Sequence, residues 1–446
     1  MTDREKKNRT MSICFLTFAV LCEILVTLSY ERGILAVQHY AAPLCFAFMG
    51  MMMLGGSVKL QADEKIALLY PLWYMASRIL LKELYLDNSF YPFCSMILVY
   101  GMAFPFARLV NDGKTKTGLL VVAVLFGSVY GALSWVGVYA AVSKYTITLP
   151  WLGTELAMNN ERRLIMSTHP NVVACIFFSA FVLLMWIALS DHRRWTKPLY
   201  LIAMLGIYFA IALTDSRTVM IQLSAAMAFL AMFACQKLPM GGKPVRLVLS
   251  IAVAAAVLMG VFLSFDAAAV GLTEMSILRS AKAEAEVFVA NRAADFRTLT
   301  GRTTIYESVF QLLSDHKDVL LRGLKENEYV AVQNQYDIPV NTHNAWLQTL
   351  LMTGIPGLLI ALWFTFRAIQ LAWISAFCCQ TGVRVADRFL LVAPAVMMIN
   401  GITESYVFTE LKPYYNLIFF MLLGYALEIW RKMRTEKRNA PCSLKP

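Results

Sequence analysis

Residues 171–190 read NVVACIFFSAFVLLMWIALS, twenty consecutive positions without a charged side chain. A helix needs about 20 predominantly apolar residues to cross the hydrocarbon core of a bilayer. Two more apolar stretches follow closely, at 198–214 and 217–235, so the chain predicts consecutive spans rather than a single anchor. The apolar excess extends over all 446 residues, of which 59% are hydrophobic and 15% charged. A soluble domain carries roughly 25% charged residues, so intrinsic disorder and a soluble nucleic-acid-binding fold are excluded.

The sequence predicts an all-α, polytopic helical membrane protein with about twelve transmembrane helices. The candidate spans are 11–30, 41–58, 66–84, 90–108, 118–142, 171–190, 198–214, 217–235, 247–264, 345–366, 388–404 and 414–430. The first is predicted to be an uncleaved anchor, because no small-residue cleavage site follows its long apolar core. Three regions result: nine spans in 1–264, a long loop with amphipathic helices in 265–344, and three spans with a basic tail in 345–446.

The distribution of basic residues predicts the orientation of these spans. Lysine and arginine concentrate in short cytoplasmic loops. With the N-terminus inside, the inner segments hold 24 of the 40 basic residues, whereas the short outer segments hold seven. The net charge of +11 then divides into +15 for the inner segments and −4 for the outer ones. Both termini are therefore expected in the cytoplasm, and the loop 265–344 on the extracytoplasmic side.

Two helices are predicted within that long loop. Residues 274–296 are rich in alanine and glutamate, which favour helices. Residues 304–314 begin with Thr304 and Glu307 in capping-box spacing. The second helix has an apolar stripe and is expected to pack on the membrane domain.

His343 lies in the string NTHN at 341–344, directly before the span that begins at Ala345. Asn341 or Thr342 is expected to cap that helix, which would place His343 in its first turn at the outer membrane surface. A helix N-terminus attracts anions and disfavours an imidazolium ion. His343 is therefore a candidate general base, and a purely interfacial histidine beside a helix cap is the alternative.

Two arginines are predicted at helix starts on the same side of the membrane. Arg217 follows a hairpin of about three residues between two spans, and Arg302 precedes the helix 304–314. A cation at a helix start opposes the macrodipole, so an anion is expected nearby. The planar guanidinium suits a phosphate, while snorkelling to the interface and a solvated loop position are the alternatives. Arg322 is a weaker candidate of the same kind.

Glu23 and Arg78 carry charges inside two predicted spans. Each lies about a dozen residues into a span that runs outward, so the two share a similar depth. Charges at such depth usually pair or line a cavity. The sequence therefore predicts a structural ion pair between them.

Several short motifs, taken in order, resemble the O-antigen ligase and polymerase family. They are HPNVVA at 169–174, LTDSR at 213–217, TGR at 300–302, RG at 322–323, and HNAWLQ at 343–348 followed by GIPG at 354–357. The likeness covers roughly 160–366. The family's arrangement of about twelve spans and one long periplasmic loop agrees with the one predicted above.

The resemblance implies a metal-independent glycan transferase in the bacterial cytoplasmic membrane, with its active site on the extracytoplasmic face. The donor would be a glycan on undecaprenyl pyrophosphate, the acceptor would be a sugar hydroxyl on another glycan or glycolipid, and no cofactor is expected. Carried over by motif, Arg217 and Arg302 would hold the pyrophosphate, and His343 would activate the acceptor hydroxyl or help to orient the reacting groups. A base positioned against the acceptor favours direct displacement, so inversion at the anomeric carbon is predicted. The residues expected to bind substrate are Asn171, Arg322 and Asn344.

Two alternatives remain at this point. A transporter or flippase for lipid-linked oligosaccharide would need ionisable groups along a central path, whereas here the candidate charges gather at one face. Within the enzyme interpretation, the motifs do not separate a ligase from a polymerase. The chain has no Cys or His spacing typical of zinc and no Asp-x-Asp signature in its outer loops, so no metal site is predicted.

Overall fold

The computed structural model describes residues 60–83, 117–149, 154–159, 163–166, 169–239, 242–276, 302–324, 326–336, 342–378, 383–405 and 413–439, together with single residues within 10–24 and 93–104 and residues 338, 407 and 408. Its helices are α1 (Ala62–Leu80), α2 (Thr117–Ser143), α3 (Pro170–Ser190), α4 (Lys197–Thr214), α5 (Arg217–Cys235), α6 (Lys243–Ser276), α7 (Arg302–Asp315), α8 (Val319–Arg322), α9 (Glu326–Tyr336), α10 (Ala345–Trp373), α11 (Val385–Met398) and α12 (Pro413–Asn439). Shorter helical turns are Arg194–Thr196, Ile374–Cys378 and Ile399–Ile402.

A small antiparallel sheet lies between α2 and α3. Its strands are β1 (Ile147–Thr148), β2 (Glu155–Met158) and β3 (Leu164–Met166), in the order β1-β2-β3. Leu156 pairs with Ile147 on one side and with Met166 on the other. The sequence analysis did not predict this sheet, because strands of two to four residues are too short to show an alternating pattern.

The all-α, polytopic membrane architecture is confirmed. Within the described residues, seven helical stretches are long and apolar enough to cross a membrane, and they coincide with seven of the predicted spans. They are Leu119–Ser143, Pro170–Ser190, Arg194–Thr214, Arg217–Cys235, Lys243–Ala269, Ala345–Cys378 and Val385–Ile402.

The total of twelve spans stays a prediction. Helices α1 and α12 occupy the predicted spans 66–84 and 414–430 but are not among the seven. Helix α1 carries four charged residues, and α12 combines a polar start with a charged stretch after Trp430. The predicted spans 11–30, 41–58 and 90–108 lie largely outside the described residues, as does the predicted helix 274–296 beyond Ser276.

Helix α3 forms the centre of the bundle. It is apolar on every side, which is typical of a helix enclosed by other helices, and nearly all of its residues are buried. It packs against α2, α4, α5, α11 and α12. Pro170 opens the helix in the position where proline lacks only an amide that would be unpaired anyway, and the His169 side chain accepts a hydrogen bond from the Asn171 amide. This start fixes Asn171 in the first turn of the central helix.

The apolar stripe predicted on the second loop helix is confirmed in α7. Val309, Leu312 and Leu313 are buried, and they form one cluster with Leu350 and Leu351 of α10. Helix α7 is therefore packed against the first part of α10, as expected from the sequence.

Helix α10 is broken at Gly354, which has φ 69° and ψ −170°. Pro356 follows, and because proline has no N–H it cannot donate to the Met352 carbonyl one turn earlier. The backbone at Gly354 lies in a region that is essentially restricted to glycine. The break divides α10 into two segments. We call the one that begins at Ala345 the outer segment and the longer one the inner segment, after their predicted sides of the membrane.

The predicted pairing of Arg78 with Glu23 stays a prediction, and the structure shows a different partner for the arginine. Arg78 lies two residues before the end of α1, where its Nη1 donates to Glu83 Oε2 at 3.1 Å. Glu23 lies outside the described residues. Depth counted along a predicted span missed this partner, because the chain turns back directly after α1 and brings Glu83 to the arginine.

Replacing Gly354 with alanine is expected to destabilise the protein by about 2–4 kcal/mol, from backbone strain and overpacking together. A Cβ at this position would lie 2.4 Å from the Leu321 carbonyl oxygen. Gly260 in α6 is the matched control, because a Cβ there would have no neighbouring atom within 4 Å, and alanine should be neutral or stabilising by roughly 0.5–1 kcal/mol. Thermal melts in detergent compare the two variants, and equal melting temperatures would contradict the argument.

Candidate active site

The candidate active site is built around a buried carboxylate, Glu404. Helix α11 ends at Met398, a single turn of tighter helix follows, and the Glu404 amide donates to the Asn400 carbonyl at 2.8 Å. The turn packs closely on the start of α10, since a Cβ at Gly401 would lie 3.2 Å from the Ala345 Cβ. The Glu404 side chain is only 2% exposed. A carboxylate buried to this degree needs charged or hydrogen-bonding partners.

Glu404 has partners from three separate parts of the chain. Its Oε1 accepts hydrogen bonds from Asn171 Nδ2 at 2.7 Å and from Arg302 Nη2 at 3.1 Å. Its Oε2 lies 3.3 Å from His343 Nδ1. We call Glu404, Asn171, Arg302 and His343 the Glu404 cluster. The structure thus joins three of the site residues predicted from the sequence through a fourth residue that was not predicted.

The backbone at His343 differs from the prediction. Asn341 lies outside the described residues, and the side chain that caps α10 is that of Asn344, whose Oδ1 accepts from the amides of Trp346 and Leu347. His343 therefore precedes the helix instead of occupying its first turn. It has φ 50°, a left-handed conformation that is uncommon outside glycine, asparagine, aspartate and histidine. This turn directs the chain so that the imidazole reaches Glu404.

Asn344, predicted to bind substrate, has a structural function in this arrangement. Besides capping α10, its Nδ2 donates to the Ile402 carbonyl at 3.3 Å. An asparagine at an N-cap satisfies helix amides that would otherwise be unpaired. Whether Asn344 also contacts substrate stays a prediction.

Arg302 is the first residue of α7, which begins two residues earlier than the predicted helix 304–314, and its side chain is 19% exposed. One turn later, the Tyr306 hydroxyl lies 3.0 Å from the Ile402 carbonyl and 3.3 Å from the His343 carbonyl. Burial raises the pKa of Tyr306 above its ordinary value, so the phenol stays protonated and able to donate at neutral pH. Helix α7 is thereby tied both to the turn that carries Glu404 and to His343.

The hairpin before Arg217 lies next to the same turn. Arg217 begins α5, as predicted, with Ser216 as its N-cap residue. The Thr218 hydroxyl, one residue further, is hydrogen-bonded to the hydroxyl of Thr403, the neighbour of Glu404. The first turn of α5 therefore adjoins the Glu404 cluster.

Arg163, which was not predicted as a site residue, links the small sheet to this region. Its Nη2 donates to Asn171 Oδ1 at 2.7 Å, and its Nε donates to the Thr214 carbonyl at 2.8 Å. The contact with Thr214 places a cation at the C-terminal end of α4, which the macrodipole favours. The amide of Asn171 is thus held from both sides, by Arg163 and by Glu404.

Arg322 has its described side-chain contacts elsewhere. Its guanidinium forms ion pairs with Asp318 at 2.6 Å and Glu328 at 3.0 Å, and the hydrogen bond from Arg322 lowers the pKa of Asp318. Arg322, which was predicted to bind substrate, is thus paired with two carboxylates of the protein itself. None of the described contacts joins Arg322 to the Glu404 cluster, and its function stays a prediction.

The family comparison agrees with this geometry. Residues 199–362 match the O-antigen ligase family. The resemblance stated from the motifs is confirmed. The O-antigen ligase region contains Arg217, Arg302 and His343, whereas Asn171 and Glu404 lie on either side of it. No curated protein matches the chain. Within the described residues, no group of three or more His, Cys, Asp or Glu side chains is arranged to hold a metal ion.

Proposed function

We propose that this protein is a membrane glycan transferase that moves an oligo- or polysaccharide from undecaprenyl pyrophosphate to a sugar hydroxyl. The observation that carries the proposal is the convergence of Arg302, His343 and Asn171 on Glu404. The resemblance of 199–362 to O-antigen ligases supports the same reaction class. The site lies on the extracytoplasmic face of the bacterial cytoplasmic membrane in this proposal.

In the proposed reaction His343 accepts the proton of the acceptor hydroxyl, and its contact with Glu404 supports this role. With its proton on Nδ1, the imidazole donates to Glu404 and presents the lone pair of Nε2 as the proton acceptor. As the acceptor oxygen forms its bond to the anomeric carbon, the bond from that carbon to the pyrophosphate oxygen breaks. The hydroxyl proton passes to Nε2 and then to solvent. Direct displacement inverts the anomeric configuration.

The arginines stabilise the charge on the leaving group. Negative charge grows on the pyrophosphate as the glycosidic bond breaks, and cations fixed in advance lower the energy of that state. Arg302 is held by Glu404 through one nitrogen, which leaves its other N–H groups for phosphate oxygens. Arg217 approaches from the start of α5. These two cations replace a divalent metal in the proposed reaction.

The test uses purified protein in liposomes with a glycan on undecaprenyl pyrophosphate as donor. A glycolipid acceptor tests for ligase activity, and donor alone tests for polymerisation. The length of the product distinguishes the two activities. We expect transfer to persist in excess chelator and the product to have the inverted configuration by NMR. Absence of transfer to any acceptor would overturn the proposed function.

Arg302→Ala is expected to lower the transfer rate about 10²-fold, the usual loss on removing one charge-stabilising donor. Arg384→Ala is the matched control, because Arg384 is also paired with a carboxylate, Asp387, but lies in a predicted inner loop. The rate per folded molecule is measured for both variants. Equal rates for Arg302→Ala and Arg384→Ala would remove Arg302 from the mechanism.

A further inference from the structure

The break in α10 frees three consecutive carbonyl groups, and each has a hydrogen-bond donor from another part of the chain. The Leu324 amide donates to the Leu351 carbonyl at 2.7 Å. Arg78 Nη2 donates to the Met352 carbonyl at 2.6 Å, and Trp73 Nε1 donates to the Thr353 carbonyl at 2.7 Å. Buried backbone carbonyls need such partners. Each of these three carbonyls thus accepts a hydrogen bond from outside α10.

Arg78 joins more segments than the other two donors. Besides Met352, its Nη2 donates to the Leu324 carbonyl at 3.1 Å, and its Nη1 binds Glu83. The guanidinium also lies 5.4 Å from the centre of the Tyr74 ring. One buried side chain, 6% exposed, thus connects the end of α1, the extracytoplasmic loop and the break in α10.

The loop and the break fit each other at two glycines. A Cβ at Gly323 would lie 2.4 Å from the Met352 carbonyl oxygen, and one at Gly354 would lie 2.4 Å from the Leu321 carbonyl oxygen. Both glycines have positive φ. The two backbones are too close to shift past each other. The loop therefore has a fixed position against the break in α10, and Arg78 donates hydrogen bonds to both.

We propose that Arg78 is a positioning residue for the Glu404 cluster, acting through the outer segment of α10. That segment begins with the Asn344 cap and follows directly on His343, while the loop docked at Leu324 is continuous with α7 and Arg302. Arg78 holds the two against each other, so that His343 and Arg302 reach Glu404 together. The inference rests on the proposed transferase function for its kinetic test.

The experiment compares Arg78→Gln with Arg367→Gln. Arg367 is the matched control: it is also a mostly buried arginine that joins α10 to α1, but it binds Asp63 at the opposite end of α1. Hydrogen exchange is followed at the Leu324 amide, and transfer rates per folded molecule are measured against pH. Arg78→Lys, which keeps a single cationic donor for Met352 or Glu83, tests rescue.

We expect Arg78→Gln to raise exchange at Leu324 about tenfold through local opening. The transfer rate should fall about 10²-fold, because a misplacement of the reacting groups by about 1 Å costs that much. The remaining rate of Arg78→Gln should rise with pH, because deprotonation of the acceptor then depends on hydroxide instead of His343. Arg367→Gln should keep the wild-type pH profile. Arg78→Lys should recover part of the rate.

Identical exchange and identical pH profiles in Arg78→Gln and Arg367→Gln would overturn the positioning role. If the wild type transfers nothing, the proposed function fails, while exchange at Leu324 still decides whether Arg78 holds the loop to α10.

Discussion

Replacing Glu404 with glutamine is expected to lower the transfer rate about 10³-fold or more. A buried carboxylate that accepts a hydrogen bond from a catalytic histidine holds the imidazole in the reactive tautomer. In serine proteases, replacing that carboxylate with its amide lowers the rate about 10⁴-fold. Glu404 faces His343 Nδ1 at 3.3 Å and Arg302 Nη2 at 3.1 Å. The amide keeps the shape of the side chain but cannot neutralise Arg302 or select the imidazole tautomer.

The same substitution should lower stability by about 1–3 kcal/mol. Breaking a buried pair costs about 3–5 kcal/mol, and this value is reduced because Arg302 and His343 are both partly exposed. Thermal melts measure the loss, and the Arg302→Gln/Glu404→Gln double variant should be less destabilised than the sum of its parts.

Glu428→Gln is the control for the Glu404 substitution. Glu428 is also a mostly buried carboxylate with a basic partner, Arg431 at 3.6 Å, but it lies in α12 near the predicted cytoplasmic tail. We expect wild-type transfer from this variant. A Glu404→Gln protein that transfers within threefold of the Glu428→Gln protein would show that the Glu404 cluster is structural only.

The spans and the helix starts were predictable because they depend on local sequence. Apolar stretches of span length predict their own helices, and seven of them are confirmed. Arg217 lies at a helix start because a short hairpin ends directly before it, and Arg302 lies within two residues of the helix start predicted at Thr304. These features need only neighbouring residues, so one sequence contains the signal.

Glu404 could not be predicted in the same way. Its partners Arg302 and His343 lie 102 and 61 residues earlier in the chain, and only the fold of α11 against α10 brings them together. The one available signal was an acidic residue at the outer end of the predicted span 388–404. Arg163 was missed for the same reason, because its two hydrogen bonds form only where the fold brings Asn171 and Thr214 together.

Arg78 has described partners that the sequence did not predict. Its position along a predicted span indicated a place deep in the membrane. That place favoured another charge at the same depth, Glu23, as its partner. The described partners of Arg78 are two backbone carbonyls and Glu83. Helix breaks expose carbonyls that no sequence pattern assigns to a donor, although Gly354 and Pro356 together mark where a break occurs.

His343→Asn is expected to lower the transfer rate by about 10²–10⁴, the usual contribution of a general base. Asparagine is chosen because it tolerates the left-handed backbone found at this position, and its amide can still donate to Glu404. The fold and the binding of donor should therefore persist while proton removal is lost. The melting temperature measures whether the fold persists. The rise in melting temperature on adding undecaprenyl pyrophosphate measures binding of the donor's lipid pyrophosphate.

The pH dependence separates loss of a base from loss of structure. Without His343, deprotonation of the acceptor hydroxyl depends on hydroxide, so the residual rate should rise with pH across a range where the wild-type rate is flat. Added imidazole should restore part of the rate. His316→Asn is the control, because His316 is exposed in the same loop and packs against Tyr336 away from the Glu404 cluster. A His343→Asn protein that retains the wild-type rate and profile would require another group to accept the proton.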